Sequence, residues 1–365
     1  MTKAYLFRAA DLQDYMVRFF IKLGVPPADA AVSAEVLLEA DLRGVDSHGM
    51  IRLNSYYGDR IRAGLIDPLT PVQVIRETAT TLLLDAGNGL GHVASKRAME
   101  LCIAKAQQTG VSMVTVRNSN HYGIAGYYAM MALPHDMIGI SFTNAGPLVA
   151  PIYGRKAMMG TNPIAVAVPT NNERPYVLDM ATSIVPIGRV TVYDKAGKPI
   201  PEGWGIDSEG KITTQPGEVL HGGALLPLGG TDIMRGYKGY GLALMVDIFS
   251  GVLSGGAFGT AVDVKEGGHQ IAHTGHFFAA VQIEAFRSII EFKRDMDVLL
   301  RELKDSPKAA GHDRIYIHGE KEYELAEKNA RDGVPLLEPV VQILKKNGTE
   351  VGVEFNLTVL GEVDK

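Results

Sequence analysis

The chain has one cysteine, Cys102, in 365 residues. A single thiol excludes an intrachain disulfide, and its apolar neighbours in a helical pattern make it a buried structural thiol rather than a nucleophile. Equally missing is a cluster of basic residues. The formal net charge is −5 with lysine and arginine scattered, so the chain offers neither a nucleic-acid stripe nor a polybasic membrane patch. The start, MTKAYLFRAADLQ, lacks an apolar run of signal-peptide length. The most hydrophobic segment, Gly241 to Phe258, is interrupted by Asp247 and glycines, which opposes a membrane span. A cytosolic protein with small-molecule partners is the expectation, and no internal repeat or low-complexity tract complicates it.

Apolar residues make up 46% of the chain and charged residues 21%. That balance fits a globular protein with two lobes, or one large domain with an insertion. Helical spacing predicts three N-terminal helices, Asp11 to Leu23, Pro27 to Leu42 and His48 to Ala63. From about Thr80, short β-branched runs alternate with helices: TTLLLDA, His92 to Gln108, VSMVTVRN, Ile124 to Leu133 and MIGISFTN. The alternation predicts a buried, largely parallel sheet with helices on its faces. A glycine and proline loop from Ala145 to Asn162 leads to IAVAVPT and YVLDMAT, whose short polar connection makes them antiparallel and the sheet mixed. Periodicity fades between Asp194 and Gly241, as in an excursion over a cleft, before a helix from about Leu242 and the strand HFFAAVQI. Ser288 with Glu291 reads as a capping box for a helix to about Lys304, with Pro307 beyond it. Charged helices follow at Glu320 to Asp332 and Leu336 to Lys346, then a strand-like VGVEFNLTVL. The resulting division is a helical region over 1–75, an α/β region over 76–290 with an excursion at about 194–240, and a C-terminal helical region over 291–365 packing back on the first.

His48 and Arg52 stand four apart in DSHGMIRL, where a helix would send both from one face of its first turn. Arginine grips a carboxylate through two parallel hydrogen bonds, and imidazole exchanges protons near neutral pH, so the pair suits a 2-oxo acid. Ser47 reads as the N-cap, Gly44 as the bend before it and Gly64 as the stop. Free amides at such a helix start also attract an anion, while the positive dipole end disfavours imidazolium. The same residues equally read as a helix cap and a surface ion pair, and residue types alone do not decide. A hydrolase built on Ser47 and His48 is a weaker alternative, because neighbouring residues do not easily reach nucleophile and base geometry.

Gly87, Gly89 and Gly91 in DAGNGLGH follow a strand and precede a helix. The third glycine comes too early for the dinucleotide fingerprint, and the next strand ends at Arg117 and Asn118 rather than at an acid, which favours a tight bend over a Rossmann turn. His269, His273 and His276 have helical ligand spacing, but Gly267, Gly268 and Gly275 oppose a helix there, and no metal is expected. Polar clusters at strand ends are more telling: Asn118 to Gly123, Gly160 to Pro163 and Leu178 to Ser183. Each reads alone as turn chemistry, but together they lie where open α/β sheets bind ligands.

With SHGMIR, RNSNHYGIAGYYAMMA, MGTNPIAVAVP, VLDMATS, GYKGYGLALMVD and GHFFAAVQI in this order, the chain resembles the malate/L-lactate dehydrogenase family, which also holds sulfolactate, ureidoglycolate and 2,3-diketogulonate oxidoreductases. The resemblance implies a non-Rossmann α/β fold with a mixed sheet and packed N- and C-terminal helices, a homodimer, and NAD as cofactor, with NADP as the alternative. It makes His48 the proton donor, Arg52 the ligand of the substrate carboxylate and Thr161 a substrate contact. It assigns nucleotide contacts to His121, Tyr122, Gly123, Ile124 and Ala125, and to Asp179, Met180 and Ala181. Ile187, Gly188, Lys238, His318, Gly319 and Glu320 complete that set. Relatives that reduce cyclic imino acids pair the equivalents of Ser47 and His48 with an Asp after the glycine matching Gly188. Arg189 stands there in this chain, which disfavours an imino-acid substrate. The turn at His318 departs from the family, which usually has proline before the glycine. The implied activity is malate and oxaloacetate interconversion. The alternatives are reduction of another 2-oxo acid and a nucleotide-binding protein without catalysis.

Overall fold

The computed structural model describes residues 3–266 and 269–364. An N-terminal strand β1 (Lys3–Phe7), absent from the sequence expectations, precedes helices α1 (Ala9–Lys22) and α2 (Pro27–Leu42). Leu12, Tyr15, Met16, Phe19 and Phe20 of α1 are buried at helical spacing, the stripe that makes an isolated amphipathic segment dock. Pro27 opens α2 at a position where no amide partner is lost. A short helix α3 (Asp59–Arg62) leads to β2 (Gln73–Glu77), β3 (Thr81–Asp85), α4 (Gly91–Thr109), β4 (Val111–Ser119), α5 (Ala125–Met130), β5 (Met137–Thr143), β6 (Ile164–Val168) and β7 (Tyr176–Met180). Gly110, at φ +83°, ends α4 in a conformation that favours glycine.

Helix α6 (Ile187–Lys195) leads into the expected excursion, which holds β8 (Gly205–Ile206), β9 (Ile212–Thr213), α7 (Pro216–Leu220) and β10 (Ala224–Leu225). Then come α8 (Tyr237–Asp247), β11 (Val264–Glu266), β12 (His269–Ile271), β13 (Thr274–Gln282), α9 (Ile289–Asp305), α10 (Glu320–Asp332), β14 (Val334–Leu337), α11 (Glu338–Val351) and β15 (Gly361–Asp364). The strand expected in VGVEFNLTVL is irregular, and pairing resumes only at β15. Ser288 precedes α9, but its side chain makes no capping bond. Among the described residues no helix is long and apolar enough to cross a membrane.

The main sheet has seven strands in the order β2-β3-β4-β13-β5-β6-β7. Only the β3 and β4 pairing is parallel; the other pairings are antiparallel. This corrects the largely parallel expectation for a specific reason. The local β3-α4-β4-α5-β5 alternation does run its strands in one direction, but β13 arrives from far along the chain and wedges antiparallel between β4 and β5. The ends of β3, β4, β5 and β7 therefore share one edge of the sheet with the starts of β6 and β13. The polar clusters read from the sequence all belong to that edge.

One apolar core lies between the sheet and α4 and α5, joining Leu84, Val116, Met99, Tyr128 and Phe278. Truncating Phe278 there to alanine would cost about 3–5 kcal/mol. The opposite face, with Phe142 and Phe277, packs on Val246 of α8. A second core unites α1 and α2 with Val334, Leu336, Val341 and Leu344, and β1 pairs between β14 and β15. The two ends of the chain thus close on each other and hold the segment that follows α2 against the sheet edge.

Candidate active site

The expected helix from His48 to Ala63 is broken. Asp46–His48 and Met50–Arg52 are separate 3₁₀ turns, Leu53–Gly58 is a π turn, and only Asp59–Arg62 is α-helical. The cause is the buried carboxylate of Asp41 on α2. It accepts the Met50 amide at 2.8 Å, and a β-carbon at Gly49 would lie 2.0 Å from Asp41 Oδ1. Gly49 leaves helical geometry at φ −90° and ψ −145°. Ser47 is therefore not an N-cap, and the protein's own carboxylate already occupies the Met50 amide that was expected to welcome an anion.

The break leaves Ser47, His48 and Arg52 clustered all the same. Ser47 Oγ lies 2.8 Å from His48 Nδ1, so these neighbours do reach each other, contrary to the steric expectation, and Nε2 is left as the nitrogen able to face a ligand. Arg52 Nε donates to the Ser47 carbonyl at 2.7 Å, and its guanidinium lies 5.9 Å from the centre of the Tyr56 ring. No carboxylate of the described residues pairs with the Arg52 Nη groups, which leaves a two-pronged donor for an anion. Burial, and then the nearby Arg52 charge, push the His48 imidazole down to about 4. The helix-dipole cause expected from the sequence is replaced by these two.

His121, at the end of β4, stacks beside His48 with ring centres 5.3 Å apart and planes inclined by 27°. Its Nδ1 lies 2.6 Å from the Tyr57 hydroxyl and accepts the Gly123 amide at 3.2 Å. Burial, then repulsion from His48, His92, Arg52 and His276 whenever these carry charge, holds the ring well below the ordinary histidine range. The loop is fixed from beneath by Asn120, whose side-chain amide donates to Asn88 O, Asn88 Oδ1 and Gly89 O at 3.2, 3.1 and 2.9 Å. Gly91 lets the chain pass so closely that a β-carbon would lie 2.1 Å from the Asn120 carbonyl. DAGNGLGH is thus a bend built for backbone packing.

Two chains of contacts tie the remaining candidates to this edge. In the first, Asp179 Oδ2 accepts the Gly126 amide at 2.7 Å, and the His318 carbonyl accepts the Val177 amide at 3.1 Å. Gly319, at φ +93°, presses on Val177, where a β-carbon would meet it at 3.0 Å. In the second, the Thr161 carbonyl accepts the Thr182 amide, the Thr182 carbonyl accepts the Leu228 amide, both at 2.8 Å, and Gly239 packs on Leu228. Lys238, next to it, is exposed, as are Gly188 and Arg189. Asp179 is exposed, and the protein around its carboxyl pushes it above the ordinary carboxylate range against the opposing Gly126 hydrogen bond.

Other candidates face inward. Tyr122 is buried, stacked 4.6 Å from His276, with its hydroxyl 3.2 Å from Ser141 Oγ, and Ile124 and Ala125 belong to the core. Glu320 is buried and pairs with Lys304 and Arg314 at 2.7 and 3.3 Å. His276 places its ring nitrogens 2.8 Å from Thr143 Oγ1 and Ser119 Oγ. Gly267 and Gly268 lie outside the described residues, and no group of three or more potential metal ligands occurs among those described. Sequence reasoning did not single out Asp41, Tyr56, Tyr57 or His92. The aromatic pair in LNSYYG was the available signal, but it reads as core at helical spacing.

A nicotinamide nucleotide suits this edge. The helix α6 begins without a side chain on its first amides, and a β-carbon at Gly188 would meet nothing within 4 Å. Bare amides beside open space accept an anionic group.

The chain has relatives among known proteins. The family model for malate/L-lactate dehydrogenase matches residues 7–345. The chain is 49% identical over 345 residues to a malate dehydrogenase of Pyrococcus horikoshii, covering 94% of each chain. It is 40% identical over 334 residues to an L-sulfolactate dehydrogenase of Methanocaldococcus jannaschii, covering 92% of this chain and 94% of that one. The crystal structure of malate dehydrogenase from Entamoeba histolytica superposes with a TM-score of 0.92 at 38% identity, covering 97% of this chain and 100% of the other.

Proposed function

The chain belongs to the malate/L-lactate dehydrogenase family, and from that premise we propose that it is an NAD- or NADP-dependent 2-hydroxy-acid dehydrogenase interconverting malate and oxaloacetate. The observation that carries the reading is the grouping of His48, Arg52 and His121 at one sheet edge. Bound reduced nicotinamide supplies a hydride to C2 of the keto acid. Arg52 holds the C1 carboxylate through its Nη groups, and His48 Nε2 gives a proton to the developing alkoxide. The low proton affinity of His48 suits the reverse direction directly, since a neutral imidazole is the base that takes the proton of a 2-hydroxy acid. In the reductive direction, a carboxylate on Arg52 offsets that residue's charge, the lesser cause of the His48 depression after burial, and so favours proton uptake with substrate.

The residues proposed to hold the nucleotide are the backbone around His121 and Gly123, the segment Asp179 to Ala181, the α6 start at Ile187 and Gly188, Lys238, and the His318–Gly319 turn, with the inward-facing Glu320 supporting that turn. Thr161 is proposed as a substrate contact and Ser47 as the partner that orients His48. In the same reading, region 1–75 carries the proton donor, 76–290 the cofactor, and 291–365 the support for the first.

The active form is proposed to be a cytosolic homodimer. An apolar stripe supports the pairing: Tyr237, Leu244, Ile248 and Val252 recur at helical spacing along α8 and its continuation and are exposed. Sedimentation of the intact chain tests it, with a monomer counting against it. An absorbance assay at the NADH band, run with NADH and NADPH over a panel of 2-oxo acids, tests the reaction. Turnover of oxaloacetate supports it, turnover of sulfopyruvate or pyruvate alone selects another member activity, and cofactor binding without turnover overturns catalysis.

A further inference from the structure

We propose that Tyr57 is a positioning residue whose hydroxyl fixes His121 as a neutral ring with its proton on Nε2, leaving proton exchange with substrate to His48. The inference rests on the reaction proposed above and adds a division of labour between its two stacked imidazoles.

The geometry argues from donors. The Gly123 amide can only donate, and it donates to His121 Nδ1 at 3.2 Å. That nitrogen therefore carries no hydrogen, and the Tyr57 hydroxyl, 2.6 Å from the same atom, is the short donor to its one lone pair, which the longer Gly123 contact shares. Burial holds the Tyr57 phenol well above its ordinary range, so it keeps its proton. A neutral ring with a doubly occupied Nδ1 carries hydrogen on Nε2, and adding a second proton would break both bonds. The turn that delivers the Gly123 amide is itself constrained: Gly123 sits at φ +81°, and a β-carbon would lie 2.6 Å from Val36 Cγ1.

A second proton on the ring is opposed by the Arg52 charge from the 3₁₀ turns, and by His48, His92 of α4 and His276 of β13 whenever these are charged. Tyr56 and Tyr57 of the π turn face the ring as neutral groups. His92 lies 4.5 Å from the Tyr57 ring, and both its ring nitrogens are sealed from solvent without a partner. It thus wedges Tyr57 as a neutral body. A cationic His121 would repel a proton on His48, 5.3 Å away. Holding His121 neutral is what allows His48 to cycle.

The test is two-bond proton–nitrogen NMR of the full chain labelled with ¹⁵N-histidine, with His121→Gln identifying the signal. In the unmodified protein, His121 is expected as the Nε2–H tautomer, unchanged between about pH 6 and pH 8. In Tyr57→Phe, it is expected to mix tautomers and to titrate. Turnover of 2-oxo acid in that variant should fall at least about tenfold with the KM for cofactor unchanged, and a new acid limb should enter its pH profile. An Nδ1–H or cationic His121 in the unmodified protein overturns the proposal without need of any variant. So does a Tyr57→Phe protein that loses turnover with tautomer and pH profile intact, because that loss would be structural. An Nε2–H ring in a protein that turns over no 2-oxo acid supports the Tyr57 assignment and overturns the reaction reading instead.

Discussion

Asp41 Oδ2 takes the Met50 amide at 2.8 Å from nine residues back along the chain, and the Gly49 backbone lies against the same carboxylate. A β-carbon at Gly49 has no room, at 2.0 Å from Asp41 Oδ1, and Asp41 is buried and unable to swing aside. Gly49→Ala should therefore destabilise the chain by about 1–3 kcal/mol and displace His48. A lowered Tm together with lost turnover in thermal and kinetic assays is the expected result.

His48→Asn should depress turnover of oxaloacetate by about 10²- to 10⁴-fold, the range of general acid catalysis, while cofactor binding followed by NADH fluorescence stays intact. Equal loss of both would make His48 a structural residue.

Arg52→Gln should do two separable things. It should weaken binding of a 2-oxo acid more than of a neutral ketone, and it should raise the proton affinity of His48 by removing the second cause of its depression. The sign for stability follows from the same shift. His48 is about 4 in the folded chain against an ordinary 6.5, so the unfolded chain binds the extra proton between those values. Stability from this group is full above pH 6.5 and falls as the pH drops toward 4. Chemical denaturation across that window should show the decline steeper in the wild-type chain than in Arg52→Gln.

Asp297 anchors the β6–β7 turn to α9. It accepts the amides of Asn171, Asn172 and Glu173 at 3.1, 2.9 and 3.2 Å, and pairs with Arg301 at 3.1 Å. Burial alone would raise its carboxyl, but these amide bonds overcome that and hold it below the ordinary range. Its stabilisation is present above the ordinary carboxylate value and lost as the pH falls below it. Asp297→Ala should cost about 1–3 kcal/mol, because it removes the charged acceptor of three turn amides. Urea titration measures this, and the catalytic pH profile should not move.

The sequence showed the elements whose pattern is local. The helical spacing of α1, the proline start of α2 and the β-branched strands around Val116 and Ile140 are each written within a few residues. The polar clusters ending at Gly123, Pro163 and Ser183 also fall at one edge of the sheet, because chain direction within β3, β4 and β5 follows from local crossovers. What it hid was set by distant partners. The wedge of β13 between β4 and β5 depends on residues far along the chain, and the broken helix at Gly49 depends on a carboxylate on α2. His92 and Tyr57 carry no signature, since a buried histidine and a core tyrosine look alike until their neighbours are known.

In the proposed reaction His48 Nε2 protonates a keto acid clamped by Arg52. A crystal structure with reduced cofactor and an unreactive 2-oxo acid analogue would show both contacts at once. The analogue carboxylate is expected on both Arg52 Nη groups and its carbonyl oxygen within about 3 Å of His48 Nε2. A carbonyl oxygen bound by another donor, with His48 turned to solvent, would contradict it.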